Sequence, residues 1–260
     1  MKQSNTYKEL LLFLSVLLLL NSCASVKPLR RDMQNIQTDL GYEMTTPEYK
    51  GEIQYNVVLN ELSASNMDVR TDVKRTSNIC IPLLFVNYLG ANFRVRLGEQ
   101  SLKRPYRDFL KDALLSECNS SAKFNLIDKM PDNMPIDSMY ILDVKMKDVD
   151  TQANIRYNNT LMILPILDNS GVFEFANYKS KTAQTSLIAN VTLCYGTRCL
   201  FQKEYEITYN KNRGEYANQS NEDVALNCMD NMAFSLSQAT KQLVENISQE
   251  IDLVLQSQNK

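Results

Sequence analysis

The succession of strand-like and helix-like segments in this 260-residue chain predicts an α+β fold, a mostly antiparallel β-sheet with two main amphipathic helices packed on one face. Three stretches carry that expectation. In "YILDVKMKDV", Tyr140, Leu142, Val144 and Met146 alternate with Asp143, Lys145 and Lys147, the period of a strand with one buried and one wet face. Behind Pro105, which suits a first helical turn, Tyr106, Phe109, Leu110, Ala113, Leu114 and Cys118 recur at three- and four-residue steps. Behind Ser220 as N-cap, with Glu222 and Asp223 in the first turn, Met229, Met232, Leu236, Leu243, Ile247, Ile251 and Val254 form a second stripe.

The chain begins with an apolar run, Leu10 to Leu20, about 16 Å long as a helix and too short for a hydrocarbon core of about 30 Å. Lys2 and Lys8 precede it and small or polar residues follow, the layout of a secretory signal over residues 1–22. Leu20, Asn21, Ser22 and Cys23 resemble a bacterial lipobox, of the kind found in Bacteroidota outer-membrane lipoproteins, with only Asn21 off the usual pattern. The resemblance implies that Cys23 is acylated and becomes the first mature residue. A multiply acylated terminus anchors firmly where one chain would not. Ala24 follows the cysteine and no acidic cluster comes after it, which implies the outer membrane and its periplasmic face.

Loss of residues 1–22 removes Lys2, Lys8 and Glu9 from 28 basic and 30 acidic side chains, leaving a net charge of about −3. No basic stripe of the nucleic-acid-binding kind accompanies it. Residues 23–51 are polar and weakly periodic and read as a lipidated terminus and tether, with a short helix over Leu29 to Leu40 as the alternative. As a flexible leash this segment would span roughly 30 Å. Residues 52–260 then form a single domain.

Within it, "IQYNVVLNELSA" reads as a first strand, and "NICIPLLFVNYL" and "FRVRL" as two more on either side of Gly90. "FNLID" is a short strand. Further strand-like runs cover Ala153 to Leu164, Gly171 to Tyr178, Thr185 to Tyr195 and Arg198 to Tyr209.

The chain has no histidine, so it carries no Ser/His/Asp or Cys/His apparatus and no His-ligated metal site of its own. Its seven glycines fall in neither GxGxxG nor GxxxxGK[ST] spacing, which leaves no phosphate-cradling loop. Asp128, Asp132 and Asp137 miss the alternate-position pattern of a calcium loop. No metal and no cofactor is expected. Asp137-Ser138-Met139 matches the short pattern of Bacteroidota O-glycosylation, which would modify Ser138.

Two motifs remain. "LMILPIL" places Leu161, Met162, Ile163, Leu164, Ile166 and Leu167 around Pro165, a residue suited to an edge strand or loop, and "DNSG" follows as a turn. The segment reads as a buried strand or as an exposed apolar hairpin tip that meets a partner. In "CYGTRC", Gly196 and Thr197 suit a two-residue hairpin turn with Tyr195 and Arg198 closing it, so Cys194 and Cys199 face each other as a non-hydrogen-bonded pair within disulfide range. An oxidising compartment would favour that bond. Cys80, Cys118 and Cys228 then remain as an odd set.

The order of elements after a lipidated cysteine weakly resembles the auxiliary lipoproteins of ABC-type transporters, the lipopolysaccharide-assembly lipoprotein, and the amino-terminal domain shared by TolB-like and curli-secretion proteins. The resemblance implies a non-enzymatic, lipid-anchored envelope protein that binds a partner protein or lipid in a transport or assembly system. One alternative is a carboxylate-based glycan-processing enzyme, which needs converging acids in a pocket. Another is a pore-forming secretion lipoprotein, which needs membrane hairpins of about ten residues per strand, a pattern that Thr151 to Tyr195 matches poorly.

Overall fold

The computed structural model describes residues 26–64, 67, 71–81, 86–128, 139–166, 169–212, 215–217 and 220–258. The elements are α1 (Val26–Asn35), β1 (Tyr55–Ser63), β2 (Thr71–Ile81), β3 (Val86–Arg96), α2 (Tyr106–Ser121), β4 (Phe124–Ile127), β5 (Tyr140–Ile166), β6 (Asn169–Tyr195), β7 (Arg198–Asn212), β8 (Glu215–Ala217) and α3 (Asn221–Ser257). The fold is α+β, and eight strands form one sheet. β1 pairs in parallel with β4 and β5, and every other ladder is antiparallel.

The spine of the sheet is the hairpin β5–β6, 27 residues on each side, where the sequence suggested several shorter strands. β5 has β1 beside its first residues and β3 beside residues 152–162. β6 carries β7 along residues 182–195 and β8 at 177–179. Gly90 does not end a strand. It pairs with Ser77 and Asn158 in the middle of β3, beside the register shift between Arg75 and Ser77 of β2, the kind of bulge that a strand-interior glycine marks.

Both predicted helices form and pack on one face of the sheet, here called the helix face. Ser220 caps α3 by accepting a hydrogen bond from the Asp223 amide at 3.1 Å. Met229, Met232, Leu236, Leu243, Ile247 and Ile251 are buried against the sheet, with Leu142, Val144, Leu187, Ala189, Val191 and Leu193 opposite them. In α2, Tyr106 donates or accepts a 3.0 Å bond with Thr240 of α3, a buried polar link between the helices.

The tether expectation for residues 23–51 is corrected from Val26 onward. Leu29 and Met33 of α1 are 1% and 4% exposed and belong to the main core, and Leu40 is 5% exposed. Beyond α1 the chain runs alongside α3 in the same direction. Thr38 donates to Asp230, the Gly41 amide to Ser237 and Thr45 to Glu245. The Thr38 amide also donates to the Ser101 carbonyl at 2.8 Å. Burial of three apolar side chains and this row of bonds outweigh the polar character that makes the segment read as a leash. The domain therefore begins near Val26 and not at residue 52.

Candidate functional site

The helices cover only part of the sheet. α3 starts at Asn221, which accepts a hydrogen bond from Tyr178 of β6. Tyr157 and Tyr178 lie ring to ring with centroids 4.8 Å apart, and Phe93 meets Tyr157 edge-on at 6.3 Å. These three buried rings close the core at its end. Beyond them β5 continues for nine residues, 158–166, and β6 comes back over 169–177, roughly 30 Å of ladder on each strand. The β2–β3 hairpin lies alongside, with Ile81 opposite Val86 and Val86 opposite Met162. Over the first five of those residues, Asn158 to Met162, four strands stand side by side in the order β2, β3, β5, β6 as a platform, and β5 and β6 alone continue to Ile166 and Asn169.

Along the platform the backbone register aligns Ile79, Tyr88, Thr160 and Phe175, then Cys80, Asn87, Leu161 and Glu174, then Ile81, Val86, Met162 and Phe173.

The platform has a polar base. Tyr88 donates to the Asn158 side chain at 3.0 Å on the face away from the helices. One row nearer the core, Lys74, Asn92, Arg156 and Lys179 share a rung, and Arg94 lies one row further in. Lys74, Arg94 and Arg156 are exposed. Asp72 stands opposite Arg94 in register, and the remaining exposed cations form a patch suited to anionic head groups.

Residues 38–45 run along α3 from Asp230 toward Glu245.

The other predicted positions fall as follows. Leu161, Met162, Ile163, Leu164 and Ile166 occupy the outer end of β5; Pro165 sits past Val86↔Met162, the last described β3–β5 pair, where a proline leaves no ladder bond to β3 unmade. Cys23, Ser138 and Leu167 lie outside the described residues, as do Asp132 and Asp137, while Asp128 pairs with Lys111 at 3.5 Å. The "CYGTRC" hairpin has the expected register, Tyr195↔Arg198 and Cys194↔Cys199, and Gly196 takes the turn's positive φ of 53°. Its cysteines stand opposite each other as free thiols in hydrogen-bond contact, the placement from which the expected disulfide would form. Cys118 and Cys228 are buried free thiols, and burial pushes Cys118 up to about 12.

Among the described residues no three acidic or cysteine side chains gather as a metal site would. The clearest cleft near carboxylates, about 460 Å³, is lined by β7 and the last turns of α3, including Glu250. Burial alone would raise the Glu250 carboxyl, but hydrogen bonds from Lys203 at 2.6 Å and Tyr205 at 2.5 Å, with the lysine's charge, hold it below the usual carboxylate range. A carboxyl kept ionised in this way latches β7 to α3 and is a poor general acid. A second cleft of about 220 Å³ contains Arg107, Lys111, Asp108 and Asp128.

No family model matches the sequence, and no curated protein matches it. The chain is similar in structure to a crystal structure of protein XCC0632 from Xanthomonas campestris, described under the family model DUF330. Identity is 12%, over 85% of this chain and 97% of that one, with a TM-score of 0.42. Among the described residues no helix is long and apolar enough to cross a membrane.

Proposed function

We propose that the protein is a non-enzymatic, lipid-anchored envelope protein that works at a membrane in a transport or assembly system, with its platform in contact with lipid. One observation carries the reading. Lys74 and Arg156 are exposed on one rung of the sheet, with Arg94 exposed one row further in, a cationic patch of the kind that meets anionic head groups. Acyl chains at Cys23 would then hold that patch against the same bilayer. The outer membrane, from its periplasmic side, is the setting that the lipobox supports.

Labelling cells with a clickable fatty acid and separating membrane from soluble fractions tests this. The wild type should carry label and sediment with outer-membrane markers, and Cys23→Ala should lose the label. Equal labelling of Cys23→Ala, or a wild type found wholly in the soluble fraction, would overturn it.

A further inference from the structure

We propose that the outer edge of β7 takes an extended segment of a partner protein as an added strand, one in which apolar residues alternate with lysine or arginine. This contact needs neither the lipid anchor nor the membrane. Among the described residues β7 pairs with β6 alone, so the backbone N–H and C=O groups along its outer side meet no other strand. From Phe201 to Asn212 the ladder runs without a bulge, and that stretch holds neither proline nor glycine. Sheets keep idle edges short, bulged or broken by proline, because a long flat edge recruits strands. Charge is the remaining guard, and the domain itself uses most of it: Lys203 binds Glu250 at 2.6 Å, and Glu204 binds Lys147.

A groove lies beside this edge. It is the cleft of about 460 Å³ with Lys203 to Ile207 on one side and Asn246, Gln249 and Leu253 of α3 on the other. All five of those β7 residues line it, from both faces of the sheet, so it follows the edge itself. Five strand residues span about 17 Å at 3.3 Å each, the length of a short strand. An added strand turns every second side chain toward α3, where Leu253 is 65% exposed and Ile207 half-buried, while Asn246 and Gln249 offer amide donors and acceptors.

Charge selects the side chains in between. On the face away from the helices, Glu206 stands opposite Ile188, and Ile188 opposite Asp148 of β5. Both carboxylates are exposed, and among the described residues neither has an ion-pair partner. A cation beside Glu206 on the added strand completes the rung as a cross-strand pair. The same row rejects a second copy as the occupant. Two β7 strands paired antiparallel about Tyr205 set Glu204 opposite Glu206 twice, and pairing about Glu204 or Glu206 sets each against itself.

Binding is read by fluorescence anisotropy of labelled seven-residue peptides with unlipidated protein carrying Cys23→Ser. A peptide that alternates valine with lysine should saturate, and versions with glutamate for lysine, or with the valines and lysines in separate blocks, should bind at least about tenfold more weakly. Glu206→Lys, a change at an exposed position, should reverse the preference between the lysine and glutamate peptides at an unchanged melting temperature. Pairing through the backbone is read separately. The N–H groups of successive strand residues point to opposite sides, so N-methylation of all valines, or of all lysines, blocks either the side that meets β7 or the side that meets solvent. One of these two peptides should lose binding and the other keep it. Absence of saturable binding by the alternating peptide, equal binding by the block peptide, a charge preference that survives Glu206→Lys, or like behaviour of the two N-methylated peptides would overturn the strand addition.

Discussion

Replacing Leu29 by Ala separates a docked N-terminal segment from a leash. Leu29 is 1% exposed and packs in the main core from α1, outside the domain boundary that composition suggests. A buried leucine cut to alanine costs about 2–5 kcal/mol, from lost apolar transfer and the cavity left behind. Taking about 3 kcal/mol, and 2–4 °C of melting temperature per kcal/mol for a domain of this size, the melting point should fall by roughly 6–12 °C. Circular dichroism melts of unlipidated protein carrying Cys23→Ser, with and without Leu29→Ala, measure it. Met33, one helical turn on, shares the same surroundings, so a Leu29→Ala/Met33→Ala double variant should lose less than the sum of the two singles. A shift within about 0.5 kcal/mol, the range for exposed positions, would refute the docked helix. The result bears on reach as well. Three residue steps separate Cys23 from Val26, about 10 Å when extended, against roughly 30 Å for a free leash.

Two further outcomes follow from local chemistry. Glu250 has a folded-state pKa held below its ordinary value, so its latch to Lys203 and Tyr205 adds stability above the unfolded pKa and loses it as pH falls through the lower, folded one. Glu250→Gln should therefore flatten the acid limb of a urea-midpoint-against-pH curve and cost no more than about 1 kcal/mol at pH 7, since both partners are partly exposed; an unchanged acid limb would refute the latch. Cys194 and Cys199 stand opposite each other, and exported protein isolated without reductant should yield a peptide pair linked through them in a non-reduced digest; free thiols at both positions would show that the pair stays reduced.

What could be read from the sequence followed from regular periods. α2 and α3 each hold one apolar stripe, and α3 also has its cap and two first-turn acids, so both were legible to within a few residues. α1 was not, because "VKPLRRDMQN" buries only Leu29 and Met33 in the core, too few for a stripe, and a helix this short depends on tertiary docking. Strand lengths were hidden by bulges. Register shifts at Arg75/Ser77, Met146/Asp148 and Asn154/Ile155 each break the alternation without ending the strand, so one 27-residue strand reads as two. The platform was hidden for a related reason. Val86 pairs with Met162, 76 positions further along the chain, and only the β3–β5 ladder brings the two hairpins side by side.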